Sequence, residues 1–183
     1  EIVVPQALHR GTPGEYAQII CVTALDLDGI VLWQHGQPTV QQPKMLGDLC
    51  IQVYDWNGDG KAEVLFTQDF RLKVLDGATG QVLQEIPTPY DTELREGEPY
   101  ARTFGDSLYF CDLEGRGERR NLLLKDRYKT VWAYDQDLNL LWSHVLNTGH
   151  YPIAYDVDED GKEEVLVGYS LIDHDGTVLW TLP

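Results

Sequence analysis

Short apolar or alternating segments, separated by turns rich in Asp and Gly, follow one another along the chain. Residues 50–54 and 151–155 form two such segments, and residues 63–66 and 164–167 form two more that are rich in strand-forming side chains. A short acidic loop joins each of the first pair to one of the second pair. Runs of this length, bounded by Gly and Asp clusters, predict β-hairpins rather than helices.

A second turn motif recurs between these loops. The segment 25–33, which ends in Leu-Trp, matches 172–180 almost position for position; 134–142 is a third copy, and 75–83 is a fourth with one extra turn residue. Asp and Gly between two strand-like runs predict a tight hairpin. We expect the terminal Leu-Trp to pack against a neighbouring sheet.

The two elements alternate, so that the repeat unit is strand, acidic loop, strand, strand, tight turn and strand. Four-stranded antiparallel sheets that repeat about every 40–50 residues are typical of propeller blades. The sequence therefore predicts an all-β fold, a β-propeller with blades near 1–40, 45–88, 104–147 and 149–183, and with the acidic loops between first and second strands. Residues 1–183 then form one closed four-bladed domain, or part of a larger propeller, or half of one that a second copy completes.

Two acidic loops, 55–63 and 156–164, have the pattern of a cation-binding loop. Both place oxygen-bearing side chains at positions 1, 3, 5 and 9 and Gly at position 6, and the carbonyl at position 7 adds a ligand. The predicted ligands are Asp55, Asn57, Asp59, Lys61 and Glu63 in the first loop and Asp156, Asp158, Asp160, Lys162 and Glu164 in the second. So many carboxylates suit Ca²⁺ better than Mg²⁺, and we expect two structural calcium ions.

These loops do not have the pattern of an EF-hand, which needs Glu at position 12 and flanking helices. Position 12 is Phe66 in one loop and Val167 in the other, and the flanking segments are strand-like. A third, incomplete loop offers Asp112 and Glu114 but has Arg116 where a third carboxylate belongs. It is predicted to bind metal weakly or not at all. The corresponding segment of the first blade, 9–14, has no ligand set.

Composition narrows the class of protein. With 183 residues, of which 43% are hydrophobic, the chain can bury a core. The net charge of −16 excludes nucleic acid as a general partner, because the phosphate backbone favours clustered Lys and Arg. The sequence contains no run long enough for membrane insertion and no signal-peptide pattern. Because it begins at Glu1, we expect a mature, extracellular protein or a piece of a longer one.

Three cysteines, Cys21, Cys50 and Cys111, do not form a disulfide scaffold by their number or spacing. Each lies in or beside a strand-like segment, where a free thiol behaves as a small hydrophobic side chain. We therefore expect buried, unbridged thiols. One bridged pair is the alternative.

The acidic-loop blade resembles the FG-GAP repeat of integrin α-subunit propellers, whose loop runs D-x-D-x-D-G-x-x-D; here the last position is Glu, and the FG-GAP signature itself is absent. The blade is more closely similar to bacterial secreted propellers of the rhamnogalacturonan lyase type, polysaccharide lyase family 11, in which such loops precede segments like 73–77 and 129–135. This resemblance spans most of residues 49–182. It implies calcium-stabilised blades and, as an activity, β-elimination of pectic polymers. Those lyases have about eight blades, so the chain is expected to be a portion or a reduced relative.

The opposite face of such a propeller collects the loops 34–48 and 86–104 and the turns 68–71, 125–129 and 168–169. This face concentrates basic and aromatic residues, with Arg71, Arg102, Arg127, Tyr128, His150 and Tyr151 as the main candidates and Lys44, Tyr90, Arg95, Tyr100, Lys125 and Tyr169 beside them. Arginine forks suit carboxylates and aromatic faces suit sugar rings. The predicted ligand is thus an anionic polysaccharide such as pectin, and the alternative is that these are solvated charges and packing aromatics.

Three functions are compatible with these features. The first is an extracellular, non-catalytic binding module that recognises carbohydrate or protein through this face. The second is a polysaccharide lyase, in which His150 or Tyr128 removes a proton from a uronate and Arg127 or Lys125 stabilises the developing enolate. The third is a homo-oligomer that pairs through exposed blade edges.

Overall fold

The structure, a computed structural model, describes residues 1–9, 17–40, 49–90 and 101–183. Within these ranges all regular secondary structure is β-strand. The described residues contain no helix that is long and apolar enough to cross a membrane. The chain divides into two compact units, Glu1–Phe104 and Gly105–Pro183.

The first unit contains two antiparallel sheets. Sheet 1 consists, in order across the sheet, of β1 (Ile2–His9), β2 (Ala17–Leu25) and β3 (Val31–Gly36). Sheet 2 consists of β4 (Ile51–Tyr54), β5 (Glu63–Gln68), β6 (Arg71–Asp76) and β7 (Val82–Pro87). In both sheets, strands adjacent in sequence are adjacent in space.

The second unit is built in the same way. Sheet 3 consists of β8 (Ser107–Cys111), β9 (Asn121–Lys125), β10 (Thr130–Tyr134) and β11 (Leu140–Val145). Sheet 4 consists of β12 (Ile153–Tyr155), β13 (Glu164–Val167), β14 (Ser170–Ile172) and β15 (Val178–Thr181). Such up-and-down antiparallel sheets have the form of propeller blades.

The predicted all-β architecture is confirmed at the level of its sheets. Sheets 2, 3 and 4 have four antiparallel strands each, and their acidic loops join the first strand to the second. Sheet 1 has three described strands. Residues 10–16 of the predicted first blade, near 1–40, lie outside the described residues, as do residues 41–48 at the start of the predicted second blade. A closed ring of four blades stays a prediction.

The middle strands form the core of each unit. All residues of β5, β9 and β10 are buried, whereas β15 is exposed along its length. A middle strand has side chains covered on both faces, which explains why these segments read as continuous apolar runs instead of alternating ones. In the first unit, sheet 1 contributes Ile19, Val22, Ala24 and Trp33 to a cluster with Val64, Phe66 and Leu75 of sheet 2.

In the second unit the two sheets share an equivalent cluster. Sheet 3 and its loop contribute Cys111, Leu113, Leu123, Val131, Ala133 and Trp142, and sheet 4 contributes Ala154, Val165, Val167 and Ile172. Trp142 follows a tight turn, as Trp33 does in the first unit. Both are more than nine-tenths buried, with 9% and 8% exposed surface, respectively. The expected packing on a neighbouring sheet is confirmed for these two tryptophans, whereas the leucines before them, and both Leu179 and Trp180 in the last copy, are exposed.

The three cysteines are free and buried, so the prediction of unbridged thiols is confirmed. Burial raises the pKa of the Cys111 thiol well above its ordinary value. A thiol in this environment stays protonated and is a poor nucleophile. Cys111 is therefore a packing residue of the second unit.

A buried phenol gives the second unit a measurable alkaline transition. Tyr134 in β10 is 4% exposed, and burial raises its pKa to about 12 from an ordinary value of about 10. The folded state thus holds this proton more tightly than the unfolded state, so stability is intact below about pH 10 and declines from there to about pH 12. The expected loss from this group is about 2–3 kcal/mol. Urea unfolding at pH 9 and pH 12 should therefore show a smaller loss in Tyr134→Phe than in the wild type; equal losses would contradict the assignment.

Candidate metal loops and ligand-binding surface

The loop between β4 and β5 folds around its own carboxylates. Asp55 accepts hydrogen bonds from the backbone N–H groups of Gly58, at 2.8 Å, and Gly60, at 3.0 Å. Glu63, the first residue of β5, accepts one from Trp56 N at 2.8 Å. Gly60 has a φ of +85°, a conformation that glycine adopts at little cost, and this allows the sharp bend at position 6.

The loop between β12 and β13 repeats this arrangement. Asp156 accepts hydrogen bonds from Asp160 N at 3.1 Å and from Gly161 N at 2.9 Å. Glu164, the first residue of β13, accepts one from Val157 N at 2.6 Å. In each loop, backbone N–H groups thus hold both the first aspartate and the closing glutamate.

Carboxylate oxygens converge in this second loop. Asp156, Asp158 and Glu164 each have an oxygen within 4.8 Å of the others, and a second group of the same compactness joins Glu164 to Asp160 and His174. Glu164 is 2% exposed, and its Oε1 atom is buried without a hydrogen-bond partner. A buried carboxylate oxygen without a donor is unfavourable. A hard divalent cation would supply the missing partner, so the donor set of this loop fits such an ion.

The first loop has a different arrangement at its last ligand. Asn57 donates through Nδ2 to Glu63 Oε1 at 3.0 Å, so both oxygens of Glu63 have donors. Burial raises the pKa of Glu63, with the charges of Asp59 and Asp55 adding to this effect and the N–H groups of Asn57 and Trp56 opposing it. Of the two complete loops, both of which lie in the described part of the chain, only the second brings three carboxylates within 4.8 Å of one another.

The incomplete loop between β8 and β9 is closed by a neutral amide. Asp112 accepts a hydrogen bond from Arg116 N at 2.9 Å. Asp55 and Asp156, the first residues of the other two loops, likewise accept hydrogen bonds from backbone N–H groups of their own loops. Asn121, the first residue of β9, accepts one from Leu113 N at 2.9 Å and donates to Glu114 Oε2 at 3.1 Å. Asn121 thus occupies the place of the closing glutamate, one residue later than in the other loops. Sequence reasoning missed this role, although Asn121 begins the apolar run of β9.

An ion pair links the incomplete loop to the second loop. Arg119 contacts Glu163 Oε1 through Nη2 at 2.6 Å and Nε at 3.1 Å. The other oxygen of Glu163 accepts a hydrogen bond from Asp112 N at 2.8 Å, and Glu163 N donates to Asp112 O at 2.8 Å. Because Glu163 precedes Glu164, these contacts fix the backbone beside the orphaned carboxylate.

Three of the predicted ligand-binding residues lie together at the other end of the second unit's strands. The rings of Tyr128 and His150 meet edge to face, with centroids 5.1 Å apart and an interplanar angle of 89°. Arg127 Cζ lies 5.6 Å from the centre of the Tyr128 ring. Arg127 and His150 are exposed and Tyr128 is half-buried. Tyr128 has a φ of +76°, an uncommon conformation for a bulky residue.

Lys125 does not belong to this surface, and its predicted role as a charge that faces a ligand is wrong. Its side chain is fully buried, and its Nζ atom donates to Asp106 Oδ2 at 2.8 Å and to the carbonyl of Asp126 at 2.7 Å. Tyr151 is 48% exposed, but its hydroxyl donates to Leu108 O at 3.1 Å. This hydrogen bond ties the Tyr151 ring to β8.

Tyr169 of the second unit is 58% exposed, and the first unit holds the other candidates. The guanidinium of Arg102 stacks on the ring of Tyr90, with Cζ 3.8 Å from the centroid, and donates to the carbonyl of Thr88. Arg71 forms an exposed ion pair with Glu85 at 3.4 Å. Exposed pairs of this kind are weak, so a ligand can compete with Glu85 for Arg71, whose side chain is 46% exposed. Lys44, Arg95 and Tyr100 lie outside the described residues.

The chain is similar in sequence and in structure to known proteins. No protein-family model matches the chain. In sequence, the chain is 25% identical over 227 residues to rhamnogalacturonan exolyase YesX of Bacillus subtilis (strain 168), an alignment that covers 94% of the chain and 35% of YesX. The sequence resemblance to rhamnogalacturonan lyases is thereby confirmed. The FG-GAP resemblance stays a prediction.

Solved structures show the same fold at lower sequence identity. The rhamnogalacturonan lyase of Bacillus licheniformis is 23% identical and matches with a TM-score of 0.63 over 92% of this chain and 36% of its own. The biofilm matrix protein Bap1 of V. cholerae is 20% identical and matches with a TM-score of 0.59 over 99% of this chain and 30% of its own. The chain therefore spans about a third of the length of these relatives.

Proposed function

We propose that this chain is part of a polysaccharide lyase of the rhamnogalacturonan-lyase type and that it contributes a surface for an anionic, pectic polysaccharide. The observation that carries the proposal is the sequence similarity to YesX, which extends over 94% of the chain. The similarity includes both units, so it does not come from one acidic loop alone.

The cluster of Arg127, Tyr128 and His150 supplies groups that fit such a polymer. The exposed Arg127 fork is suited to bind a uronate carboxylate with two parallel hydrogen bonds. The edge-to-face contact of Tyr128 with His150 holds the two rings at a fixed angle, so that an aromatic surface lies beside the guanidinium. A sugar ring and its carboxylate are then recognised together.

In the lyase reaction, His150 or Tyr128 removes the proton next to the uronate carboxyl group, and Arg127 stabilises the negative charge that develops on that carboxyl group. The electron pair then forms a carbon–carbon double bond as the bond between the β-carbon and the glycosidic oxygen breaks, and that oxygen leaves with a proton from water. Lys125 takes no part, because its charge is already neutralised by Asp106 inside the protein. The stabilising role therefore falls on Arg127 alone among the residues first considered.

A non-catalytic binding module is the second candidate function. It is favoured by one observation, namely that the chain covers only about a third of the length of YesX. Catalytic groups of a complete lyase can lie in the remaining two thirds, and this chain would then contribute binding only.

Calcium and an extracellular location belong to the same proposal. Asp156, Asp158, Asp160 and Glu164 with the carbonyl of Lys162 would hold one ion, and Asp55, Asn57, Asp59 and Glu63 with the carbonyl of Lys61 would hold another. The buried, partnerless oxygen of Glu164 supports the first of these sites. Bound calcium would clamp loops whose carboxylates otherwise repel one another. Extracellular fluids supply the ion at the concentrations that such loops require.

Activity on rhamnogalacturonan separates the two functions. Purified protein containing the whole chain should produce unsaturated uronate, detected as a rise in ultraviolet absorbance. Arg127→Ala is expected to lower the rate about 10²–10³-fold, as loss of a transition-state charge stabiliser does. Arg116→Ala is the matched control, because Arg116 is also exposed but lies in the incomplete loop at the opposite end of the second unit's strands, and it should leave the rate within a fewfold of the wild type.

Two further outcomes are informative. If no unsaturated product forms but polysaccharide binding is lost in Arg127→Ala, the binding module is correct and the lyase is not. If the protein neither cleaves nor binds rhamnogalacturonan, the proposal as a whole is wrong.

A further inference from the structure

An imidazole reaches the second acidic loop from the turn between β14 and β15. His174 Nε2 lies 2.9 Å from Lys162 Nζ, and His174, Asp160 and Glu164 each have a ligand atom within 4.8 Å of the other two. This group shares only Glu164 with the group of three carboxylates described above. It therefore contains a nitrogen ligand that the acidic-loop motif itself does not supply.

The tautomer of His174 suits a metal ligand. Its Nδ1 atom lies 2.7 Å from Asp173 Oδ1, and an ionised carboxylate only accepts hydrogen bonds, so Nδ1 carries the hydrogen. On the other side of the ring, the Lys162 ammonium can only donate, so Nε2 presents its lone pair towards the loop. A carboxylate behind the imidazole is also the arrangement that orients histidines that ligate metals and raises their basicity.

Sheet 3 fixes the turn that carries this imidazole. Trp142 Nε1 donates to the carbonyl of His174 at 3.0 Å, and His144 Nε2 donates to the carbonyl of Gly176 at 2.7 Å. A Cβ atom added to Gly176 would lie 2.7 Å from the Trp142 ring, so the indole packs directly on the turn. The backbone of His174 is thus held in place independently of the acidic loop.

Two features of the same group favour a cation. Glu164 is 2% exposed, and its Oε1 atom is buried without a hydrogen-bond partner, while its Oε2 atom accepts from Val157 N. The Lys162 ammonium already lies against the imidazole lone pair, so positive charge is stable at this place. A metal ion would supply a partner to the orphaned oxygen and to the lone pair together.

The first acidic loop does not have this imidazole. The tryptophan of sheet 1 donates to the carbonyl of Gly77, as that of sheet 3 does to the carbonyl of His174, so Gly77 occupies the equivalent place. Lys61 stands at the loop position of Lys162. Repetition of the loop therefore explains the carboxylates and the lysine of the second loop, but it does not explain His174.

We propose that Asp160, Glu164 and His174 Nε2 form a site for a divalent transition-metal ion, Zn²⁺ in particular. Imidazole is a preferred ligand of Zn²⁺, whereas Ca²⁺ takes oxygen ligands. Two carboxylates and one imidazole, with a water molecule in the fourth position, make a tetrahedral set that Zn²⁺ accepts. Because Glu164 belongs to both groups, zinc and calcium exclude each other at this loop, and zinc displaces the Lys162 ammonium from the imidazole.

Titration of the calcium-free chain with Zn²⁺, followed by isothermal titration calorimetry, tests this site. The wild type should bind zinc, and His174→Ala should lower its zinc affinity by more than the roughly 10–100-fold that loss of an outer-shell partner costs. Asp158→Ala should leave zinc affinity within a fewfold of the wild type while it weakens calcium binding. His150→Ala is the matched control, because this imidazole is exposed at the opposite end of the strands, and it should bind zinc normally.

A gain of affinity separates a metal ligand from a residue needed for folding. Lys162→Met removes the competing ammonium and keeps the backbone carbonyl, so it should raise zinc affinity by about 10-fold, as removal of a unit charge a few ångströms from a divalent ion does. Lys61→Met, its counterpart in the first loop, should leave zinc affinity unchanged. A damaged fold cannot produce this difference.

Three results would overturn the zinc site. They are a wild type that does not bind zinc, equal zinc affinity in the wild type and His174→Ala, and a loss in His174→Ala without a gain in Lys162→Met. All are measured without calcium and without polysaccharide. Failure of the zinc site is therefore distinguishable from failure of the calcium sites or of the lyase activity.

Discussion

Removal of divalent metal should lower the melting temperature of this protein by roughly 10 °C or more. A site held at about 1,000 times its dissociation constant contributes about 4 kcal/mol to stability, and each kcal/mol is about 2–4 °C in a domain of 150–250 residues. The effect follows from the second loop in particular, where three carboxylates converge and one oxygen of Glu164 is buried without a donor. Differential scanning calorimetry in excess chelator and in millimolar calcium measures it.

Loop variants assign the effect to particular residues. Asp156→Ala should remove much of the calcium response, whereas Asp112→Ala should change it little, because the incomplete loop is closed by the amide of Asn121. Glu164→Gln should also reduce the response, but without metal it should be at least as stable as the wild type, since it removes an uncompensated buried charge. Equal calcium responses in Asp156→Ala and Asp112→Ala, or no response in the wild type, would contradict the metal proposal.

Loss of the Asp106 carboxylate should destabilise the protein by about 3–5 kcal/mol. Breaking a buried ion pair from one side leaves the other charge without compensation, and Lys125 is fully buried with Asp106 as its ion-pair partner. Asp106→Ala is therefore expected to unfold at a much lower urea concentration than the wild type, with an unchanged dependence of unfolding free energy on urea.

Removal of the lysine charge provides the control. Lys125→Met keeps most of the side-chain volume but leaves the Asp106 carboxylate unpaired; because Asp106 is 14% exposed and Lys125 is fully buried, this variant should be less destabilised than Asp106→Ala. The double variant Asp106→Ala/Lys125→Met should recover most of the stability lost in Asp106→Ala. If the two single variants were equally destabilising, packing rather than charge would explain the role of Lys125.

The sheets and their loops were predictable because their signals are local. A strand of four to six residues, an acidic loop and a tight turn each fit within about ten residues, and repetition of the same order along the chain reinforced each assignment. The positions of the acidic loops, between first and second strands, followed directly from that order. The continuous apolar runs of β9 and β10 are typical of strands buried in the middle of a sheet.

The wrong and the missed assignments concern contacts between residues that lie far apart in the sequence. Lys125 ends an apolar strand and precedes a turn, so it looked exposed; only the fold shows that its side chain turns inward to Asp106, which lies 19 residues earlier. Asn121 was missed because the incomplete loop is one residue longer than the others, which displaces the closing side chain from position 9. The ion pair of Arg119 with Glu163 joins residues 44 positions apart and has no local signal.

The basic and aromatic surface was predictable only in part. Turn positions indicated that Arg127, Tyr128 and His150 share one end of their sheets, and the structure places the Tyr128 and His150 rings in contact. The orientation of Tyr151 depends on a hydrogen bond to Leu108 in another strand, which the sequence does not specify. Residue type and loop position thus predicted membership of a surface better than they predicted the direction of a side chain.

Because its three thiols are unbridged, the stability of this chain does not depend on the redox potential of its surroundings. With no covalent cross-link between distant parts of the chain, reducing agents have no bond to break, and the protein can be produced in a reducing compartment without loss of structure. If calcium takes over the stabilising role that disulfides have in many exported proteins, the stability of the fold depends on the calcium concentration around the protein rather than on the redox potential.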